Sequence, residues 1–182
     1  YMAEILLGVS TDSYDLLGLP IQGAVATLMT DEDDVLPGTA EKIEQYLASK
    51  IGTHSQQYPP YSSKTVEGKQ LHTHTREGND IELPTHEVTL HAYEDLSVEP
   101  VSVEDILVRV GELVSLVKGD FRQDAILQAW AELKLPEKLP LLVVTIKVGS
   151  GFYVRQMAED IGKALGTKAC LYSLIRTEIG EK

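Results

Sequence analysis

The segment between residues 141 and 166 most restricts what this chain can fold into, because it changes from a strand pattern to a helix pattern across one short turn. Residues 141–148 are rich in Val, Ile and Thr and alternate apolar with polar positions, which predicts a half-buried strand. Over residues 154–165 apolar side chains recur at helical spacing, and Gly166 follows at the position where helices often end. We therefore predict a strand, a tight turn and a helix in that order.

Arg155 falls in the first turn of this predicted helix. The helix dipole places partial positive charge there, so an arginine is unfavourable unless an anion faces it. We therefore predict a carboxylate or phosphate partner for Arg155 and treat its surroundings as a candidate site. On these residues alone, the alternative is a sharp strand-to-helix connection without a functional role.

The glycines of the turn do not complete a known nucleotide-binding or nucleophile motif. Gly149 and Gly151 begin a G-x-G-x-x-G pattern, but Val154 occupies the position of the third glycine, and no P-loop lysine is present at the required spacing. Ser150 lacks the G-x-S-x-G spacing of a nucleophile elbow. Cys170 falls within a predicted strand, which disfavours a role as a nucleophile. Nucleotide binding and hydrolysis by Ser or Cys are therefore not predicted.

The rest of the chain alternates predicted strands and helices. Strands are predicted over residues 1–8, 86–93 and about 169–179 from their apolar and polar alternation. Thr39 is the predicted cap of a helix that runs to about residue 50, and Ser102 begins a helix with a capping-box pattern. A second helix is predicted over residues 120–134.

Residues 52–82 differ in character from their surroundings. They contain two adjacent prolines, several glycines and few large aliphatic side chains, so we expect an exposed excursion. All five histidines lie between residues 54 and 91, and His72 and His74 are expected on one face of a strand. No cysteine pair or H-E-x-x-H helix accompanies them, so no metal site is predicted.

Composition limits the class of protein. A chain of 182 residues with ordinary apolar content is long enough for one domain. No apolar run is long enough to cross a bilayer, no signal peptide is recognisable, and the single Cys170 favours a reducing compartment, so we expect a cytoplasmic protein. The net charge of −12 argues against a general polyanion binder, whereas the net basic part at residues 141–182 leaves RNA open as a partner.

A set of short motifs makes the sequence more specific. In chain order they are Leu7-Gly-Val-Ser-Thr-Asp-Ser-Tyr-Asp15, Gln57-Tyr-Pro-Pro-Tyr-Ser-Ser-Lys64, Glu67-Gly-Lys69, Arg76-Glu-Gly78, Gly151-Phe-Tyr-Val-Arg155, Asp160-Ile-Gly162 and Leu174-Ile-Arg176. Together with the opening Tyr1, this ordered set resembles the TruB family of RNA pseudouridine synthases. Each motif alone is a weak signal, and the order makes the resemblance strong.

The resemblance implies a fold and an activity. The fold would be that of the pseudouridine synthases, of class α/β (α+β), with a mixed, mostly antiparallel sheet and helices on one face. The family converts uridine to its C-glycoside isomer, typically in the T loop of tRNA and without a metal or organic cofactor, so we expect tRNA as the partner and no cofactor. The target base must leave the RNA stack to be reached. An aspartate then attacks the nucleoside, the glycosidic bond breaks, and uracil turns and rejoins through carbon.

The same resemblance implies residue roles. Arg155 would pair with the catalytic aspartate, Tyr1 and Tyr153 would contact the flipped uracil, with Tyr1 as a proton acceptor, and Leu174 would form an apolar wall. Residues 54–82 resemble the mobile thumb with which the family grips RNA. The candidates for RNA contact are Lys64, Lys69, His72 and Arg76.

The chain departs from the family pattern in three ways. The G-x-L-D-P motif that carries the catalytic aspartate precedes the position of Tyr1 in the family and does not occur in residues 1–182, while Asp12 and Asp15 match another family segment and receive no catalytic role. The C-terminal RNA-binding domain that many family members carry is also not among these residues. We therefore expect residues 1–182 to be a fragment of the catalytic domain that is inactive by itself. Residues 102–135 form a helical insertion of unknown role, a place where a protein partner would bind.

Two alternatives to an enzyme stay open at this point. The first is a noncatalytic RNA-binding or protein-interaction module that keeps the synthase fold. The second is an acidic interaction domain unrelated to RNA, for which removal of the Arg155 side chain would have no effect on RNA binding or chemistry.

Overall fold

The centre of the molecule is a five-stranded antiparallel sheet. A computed structural model of the chain describes residues 1–22, 28–30, 34–66, 68–77 and 82–180. The strands lie in the spatial order β4 (Gly52–Gln57), β7 (Thr85–Ser102), β8 (Lys138–Val148), β1 (Met2–Leu7) and β9 (Ala169–Ile175). Each neighbouring pair is antiparallel. The predicted class, a mixed α/β fold with a mostly antiparallel sheet and flanking helices, is confirmed.

In the described part of the chain, smaller strands and five helices surround this sheet. The remaining strands form two hairpins, β2 (Val9–Thr11) with β3 (Pro20–Gln22) and β5 (Thr65–Val66) with β6 (Lys69–Gln70). The helices are α1 (Thr39–Lys50), α2 (Leu71–Arg76), α3 (Val103–Leu116), α4 (Gln123–Glu132) and α5 (Val154–Ala164).

Helices cover both faces of the sheet, which corrects the prediction that they lie on one face. Successive residues of a strand point to opposite faces. In β1, Ile5 and Leu7 pack with α1 and α5, whereas Leu6 packs with α3 and α4. All three side chains are fully buried. The sheet therefore needs an apolar cover on each side, and α3 and α4 supply the second one.

Three local predictions are wrong, and each has a physical reason. The backbone of Arg122 is left-handed, at φ 61° and ψ 26°, so the helix predicted from residue 120 begins at Gln123. Gly38, with φ 86°, is the N-cap of α1, while the Thr39 hydroxyl donates to the carbonyl of Leu36. His72 and His74 lie in helix α2, where residues two apart do not share a face.

The tight turn and helix predicted from residues 149–166 are confirmed. Gly151 has φ 83° and α5 follows at Val154. Gly166 has φ 71°, the left-handed conformation that favours glycine after a helix. Within α5, an added Cβ on Gly162 would lie 2.6 Å from the backbone nitrogen of Ala169, so the absence of a side chain lets α5 pack directly on β9.

Within the described residues, none of the helices has the length and apolar content required to cross a membrane.

Candidate active site

A cavity of about 370 Å³ lies beside the N-terminus of α5. Its volume falls in the range of small-molecule sites in proteins. Nine residues line it: Ser13, Asp15, Leu17, Tyr61, Ser62, Ser63, His72, Phe121 and Arg155. They come from the loop after β2, the segment after β4, helix α2, the corner between α3 and α4, and α5. Segments far apart in sequence therefore build one cavity, in which a few polar groups face a mainly apolar surface.

Arg155 lies in this cavity with an anion beside it, as its position at the start of α5 predicts. Its Nη1 donates to the carbonyl of Ser13 at 3.1 Å and to Oδ2 of Asp15 at 3.3 Å, and its Nη2 donates to the carbonyl of Tyr61 at 2.9 Å. A guanidinium has five N–H donors. Among the described residues no acceptor faces its Nε–H or its second Nη2–H, which leaves two donors for a further group.

Asp15 is oriented by its own loop. Its Oδ1 accepts hydrogen bonds from the Ser13 hydroxyl at 2.8 Å and from the backbone N–H of Leu17 at 3.0 Å. The Thr11 hydroxyl donates to its carbonyl at 2.6 Å. Oδ2 is thereby turned towards Arg155. The side chains of Asp15 and Arg155 are 27% and 25% exposed, so water screens their attraction only in part.

A second arginine–aspartate pair borders the same loop. Nη1 of Arg122 donates to Oδ2 of Asp12 at 2.7 Å, and this hydrogen bond is the largest cause that raises the pKa of Arg122. The hydroxyl of Tyr61 donates to the same Asp12 oxygen at 3.3 Å, and the guanidinium of Arg122 lies 5.4 Å from the Tyr61 ring centre. Two arginines therefore bind the Thr11–Asp15 loop, Arg122 through Asp12 and Arg155 through Asp15.

Tyr153 lies in a neighbouring aromatic cluster rather than in the cavity lining. The Gln56 side chain accepts from the backbone N–H of Tyr153 at 2.9 Å and donates to its carbonyl at 3.1 Å. Tyr58 stacks on His86 with ring centres 4.0 Å apart, and Tyr153 meets both rings edge-on. This cluster fixes the backbone that leads into α5 and Arg155.

Tyr1 and Leu174 lie elsewhere on the sheet. Nε of Arg176 donates to the Tyr1 hydroxyl at 2.8 Å, and its guanidinium lies 5.0 Å from the Tyr1 ring centre. Leu174 pairs with Ala3 across β1 and β9 and is 40% exposed. Neither residue lines the Arg155 cavity, so the structure brings together only part of the set predicted to surround the uracil.

The four candidates for RNA contact have different surroundings. Lys64 is exposed, with Nζ 5.3 Å from the Tyr58 ring centre. Lys69 is exposed and paired with Glu77 at 3.0 Å. His72 lines the Arg155 cavity, and its Nδ1 lies 3.3 Å from the carbonyl of Ser62. Arg76 ends α2, and its side chain lies outside the described part of the chain.

Two other kinds of chemistry find no support in the part of the chain that the structure describes. That part holds no group of three or more His, Cys, Asp or Glu side chains arranged around a metal position. Cys170 is completely buried, and burial raises the pKa of its thiol well above the usual range. A buried neutral thiol is a poor nucleophile.

Sequence reasoning missed Asp12, Asp15 and Tyr61 as parts of this site. A signal was present in the Thr11–Asp15 motif, where polar side chains follow one another in a predicted turn. Which of them faces Arg155 depends on the antiparallel path of the chain from β1 to β9, which a turn motif does not specify.

Comparison with known proteins gives a consistent result. The sequence profile described as "TruB family pseudouridylate synthase (N terminal domain)" matches residues 1–112. A Deinococcus deserti protein named tRNA pseudouridine synthase B is 32% identical over 183 residues, and proteins of the same name from Deinococcus radiodurans and Rhodopirellula baltica are 30% and 28% identical. These alignments cover 99% of the chain and 54%, 53% and 38% of the respective relatives. The chain thus spans about half or less of their length.

The matching profile covers more than half of the chain, and its range includes β1, the Thr11–Asp15 loop and Tyr61. The described geometry adds an arginine at the start of α5 that faces this matched region. We conclude that the chain belongs to the TruB family of pseudouridylate synthases.

Proposed function

We propose that this chain is the larger part of the catalytic domain of a pseudouridine synthase that isomerises a uridine of tRNA, and that the target lies in the T loop. Family membership and the names of the relatives support the reaction and the RNA. The single observation that carries the proposal is Arg155, which lies in a cavity with two N–H donors that no described residue uses.

The catalytic nucleophile in this proposal is an aspartate encoded upstream of Tyr1. Its carboxylate would accept from the two remaining donors of Arg155, and a charge-assisted pair of this kind fixes orientation and favours the ionised form. The aspartate attacks the nucleoside and the N1–C1′ bond breaks. Uracil then turns, a C5–C1′ bond forms as the bond between the aspartate and the nucleoside breaks, C5 loses its proton and N1 gains one.

Tyr153, Tyr1 and Leu174 complete the proposed surroundings of the flipped uracil. Tyr153 is the N-cap of α5 and lies two residues before Arg155, which supports a place beside the base. The Tyr1 hydroxyl oxygen accepts a hydrogen bond from Arg176, and this positive neighbour supports the proposed role of Tyr1 as a proton acceptor. Leu174 offers a partly exposed apolar surface next to β1.

RNA binding is proposed for residues 54–82, through Lys64, Lys69, His72 and Arg76. The exposed Lys69–Glu77 ion pair is of the kind that contributes little to stability, so Lys69 can exchange Glu77 for a phosphate at small cost.

The insertion at residues 102–135 is proposed as the site for a protein partner. The cytoplasm is proposed as the compartment of the protein, and cell fractionation tests this proposal.

The first test concerns the nucleophile. Residues 1–182 alone, incubated with tRNA that carries tritium at C5 of uridine, are expected to release no tritium, because the proposed aspartate is not among them. The complete reading frame that contains these residues is expected to encode G-x-L-D-P upstream of Tyr1, and the protein that it encodes is expected to release tritium. Turnover by residues 1–182 alone overturns the placement of the nucleophile, and tRNA binding without turnover by the complete frame favours the noncatalytic module.

The second test concerns Arg155 in the complete reading frame. Arg155→Ala is expected to lower kcat by about 10² or more, since removal of one preorganised donor typically has that effect. Asp15→Asn is expected to lower kcat by about tenfold, because Arg155 is less well oriented. This loss corresponds to an activation free energy that is roughly 1.4 kcal/mol higher. Arg109→Ala is the matched control, because Arg109 is a partly exposed arginine paired with Glu112 at 3.4 Å on α3, away from the cavity lining. Arg155→Ala with wild-type turnover refutes the proposal.

A further inference from the structure

Arg122, at the corner between α3 and α4, lies next to the site without lining the cavity itself. The corner has a defined conformation. The Gln123 side chain accepts from the backbone N–H of Phe121 at 2.8 Å and donates to the carbonyl of Gly119 at 2.5 Å. Gly119 has φ 85°, and Arg122 is the N-cap of α4 in the left-handed conformation. The corner therefore holds the start of the Arg122 side chain in a fixed direction.

The contacts of Arg122 converge on the groups that hold Arg155. Arg155 donates to three acceptors: the carbonyl of Ser13, the carboxylate of Asp15 and the carbonyl of Tyr61. Arg122 binds Asp12, which is adjacent to Ser13 in the chain, and packs over the Tyr61 ring. Two of the three acceptors of Arg155 are thus fixed through residues that Arg122 contacts.

Tyr61 is the centre of this arrangement. Its hydroxyl donates to Asp12, its ring faces Arg122, and its carbonyl accepts from Arg155. A change at Arg122 therefore removes one contact of the ring and a charged neighbour of the hydroxyl acceptor. We expect the carbonyl of the same residue to be held less firmly as a result.

The arrangement is unfavourable for stability in two respects. A left-handed backbone at a residue other than glycine costs on the order of 1 kcal/mol. Nη2 of Arg122 is also buried with no hydrogen-bond partner among the described residues, which carries a desolvation cost. A residue with a strained backbone and an unpaired side-chain nitrogen next to a cavity is typical of a functional constraint.

We propose that Arg122 is a positioning residue for the reaction, acting through Asp12 and Tyr61 to hold Arg155 in the orientation that receives the catalytic carboxylate. The inference rests on the proposed pseudouridine synthase function. It gives the helical pair α3–α4 a role in catalysis, in addition to its cover of the second sheet face. Arg122 itself touches neither the RNA nor the reacting atoms.

The test uses the complete reading frame and tRNA with tritium at C5 of uridine. Arg122→Gly removes the guanidinium and places glycine where the backbone is left-handed, so the fold keeps its stability. The expected result is a kcat about tenfold lower, a KM changed by less than about twofold and an unfolding temperature that is not lowered, because misplaced catalytic groups slow the chemical step. Arg122→Lys keeps the charge without the planar group and is expected to restore only part of kcat.

A double-mutant cycle separates positioning from a general structural effect. In the wild type, Oδ1 of Asp12 accepts from the Leu19 N–H at 2.8 Å. Asp12→Asn keeps an oxygen that accepts this hydrogen bond and removes the charge that Arg122 binds. If the two residues act as a unit, Arg122→Gly combined with Asp12→Asn has about the same kcat as the more damaging single variant. Multiplicative losses in the cycle overturn the proposal.

The controls separate failure of this inference from failure of the proposed function. A wild-type protein without turnover refutes the pseudouridine synthase function. An active wild-type protein with an unchanged kcat for Arg122→Gly refutes only the positioning role, as does a loss that appears in KM alone. Arg109→Ala, the other arginine of the helical pair, is expected to retain wild-type kcat and KM.

Discussion

At the scale of single residues, partly buried charges decide the character of the site. Arg155 and Arg122 each hold one carboxylate of the Thr11–Asp15 loop. On the opposite side of α5, Asp160 accepts from the Gln156 side chain at 2.9 Å and lies 4.0 Å from Lys163. Burial is the largest influence on Asp160 and raises the pKa of its carboxyl, despite the hydrogen bond and the lysines.

The raised pKa of Asp160 predicts a pH-dependent effect of Asp160→Asn on stability. The folded state binds the Asp160 proton more tightly than the unfolded state, whose pKa is near 3.8. Stability therefore falls as pH rises from below 3.8 through the raised pKa of the folded state. The variant lacks this loss, so it is expected to unfold at a higher temperature than the wild type at pH 7 and at an equal temperature near the acid end.

Thermal unfolding followed by circular dichroism from acid to neutral pH measures this difference. Lys50, Lys163, Glu159 and Tyr46 are charged or titratable groups that interact with Asp160, and they are the same in both proteins. A variant that is less stable than the wild type at pH 7 contradicts the prediction, since it means that the lysine partners outweigh burial.

At the scale of elements, two helical glycines have opposite roles. Gly162 of α5 faces the backbone of Lys168 and Ala169, and an added Cβ would lie 2.8 Å and 2.6 Å from their carbon and nitrogen atoms. Gly111 of α3 has no heavy atom within 4 Å of the same position. The close approach of α5 to β9 therefore depends on Gly162, whereas α3 has no such need at Gly111.

This contrast predicts opposite signs for two identical substitutions. Gly162→Ala is expected to destabilise the protein by about 1–3 kcal/mol, because α5 must move away from β9. Gly111→Ala is expected to stabilise it by about 0.5–1 kcal/mol, because alanine favours the helix. Urea unfolding of both variants measures the two changes. A neutral or stabilising Gly162→Ala shows that α5 does not pack as closely as described.

At the scale of the whole molecule, one sheet joins two apolar cores. Leu47 of α1 belongs to the core on one face, and Trp130 of α4 to the core on the other. Both side chains are buried, and Nε1 of Trp130 donates to the carbonyl of Gly18 at 3.2 Å. Since β1 contributes alternate residues to both cores, loss of one core is expected to release the other.

Cooperative unfolding of the two cores is therefore predicted. Leu47→Ala is expected to destabilise the protein by about 2–5 kcal/mol through the cavity that it creates. The fluorescence of Trp130, the only tryptophan of the chain, is expected to report the same shifted midpoint as far-UV circular dichroism. A Trp130 transition that keeps its wild-type midpoint while circular dichroism shifts would show that α3 and α4 unfold independently.

The sequence by itself determined the local elements and the family. Alternation in β8 and helical spacing in α5 are properties of adjacent residues, so the strand, the turn and the helix could be predicted, as could an anion beside Arg155. The ordered motifs predicted the TruB family, which the matching profile confirms. These predictions succeed because each depends on neighbours in the chain or on motif order.

Only the tertiary structure decided which groups meet. Asp15 lies 140 residues from Arg155, and Asp12 lies 110 residues from Arg122. Their contacts follow from the strand register and from the left-handed corner before α4. No local sequence pattern predicts either of these two features. The second face of the sheet was missed for the same reason: Leu6 and Cys170 show as apolar in the sequence, but the side on which α3 and α4 pack depends on how the whole chain is folded.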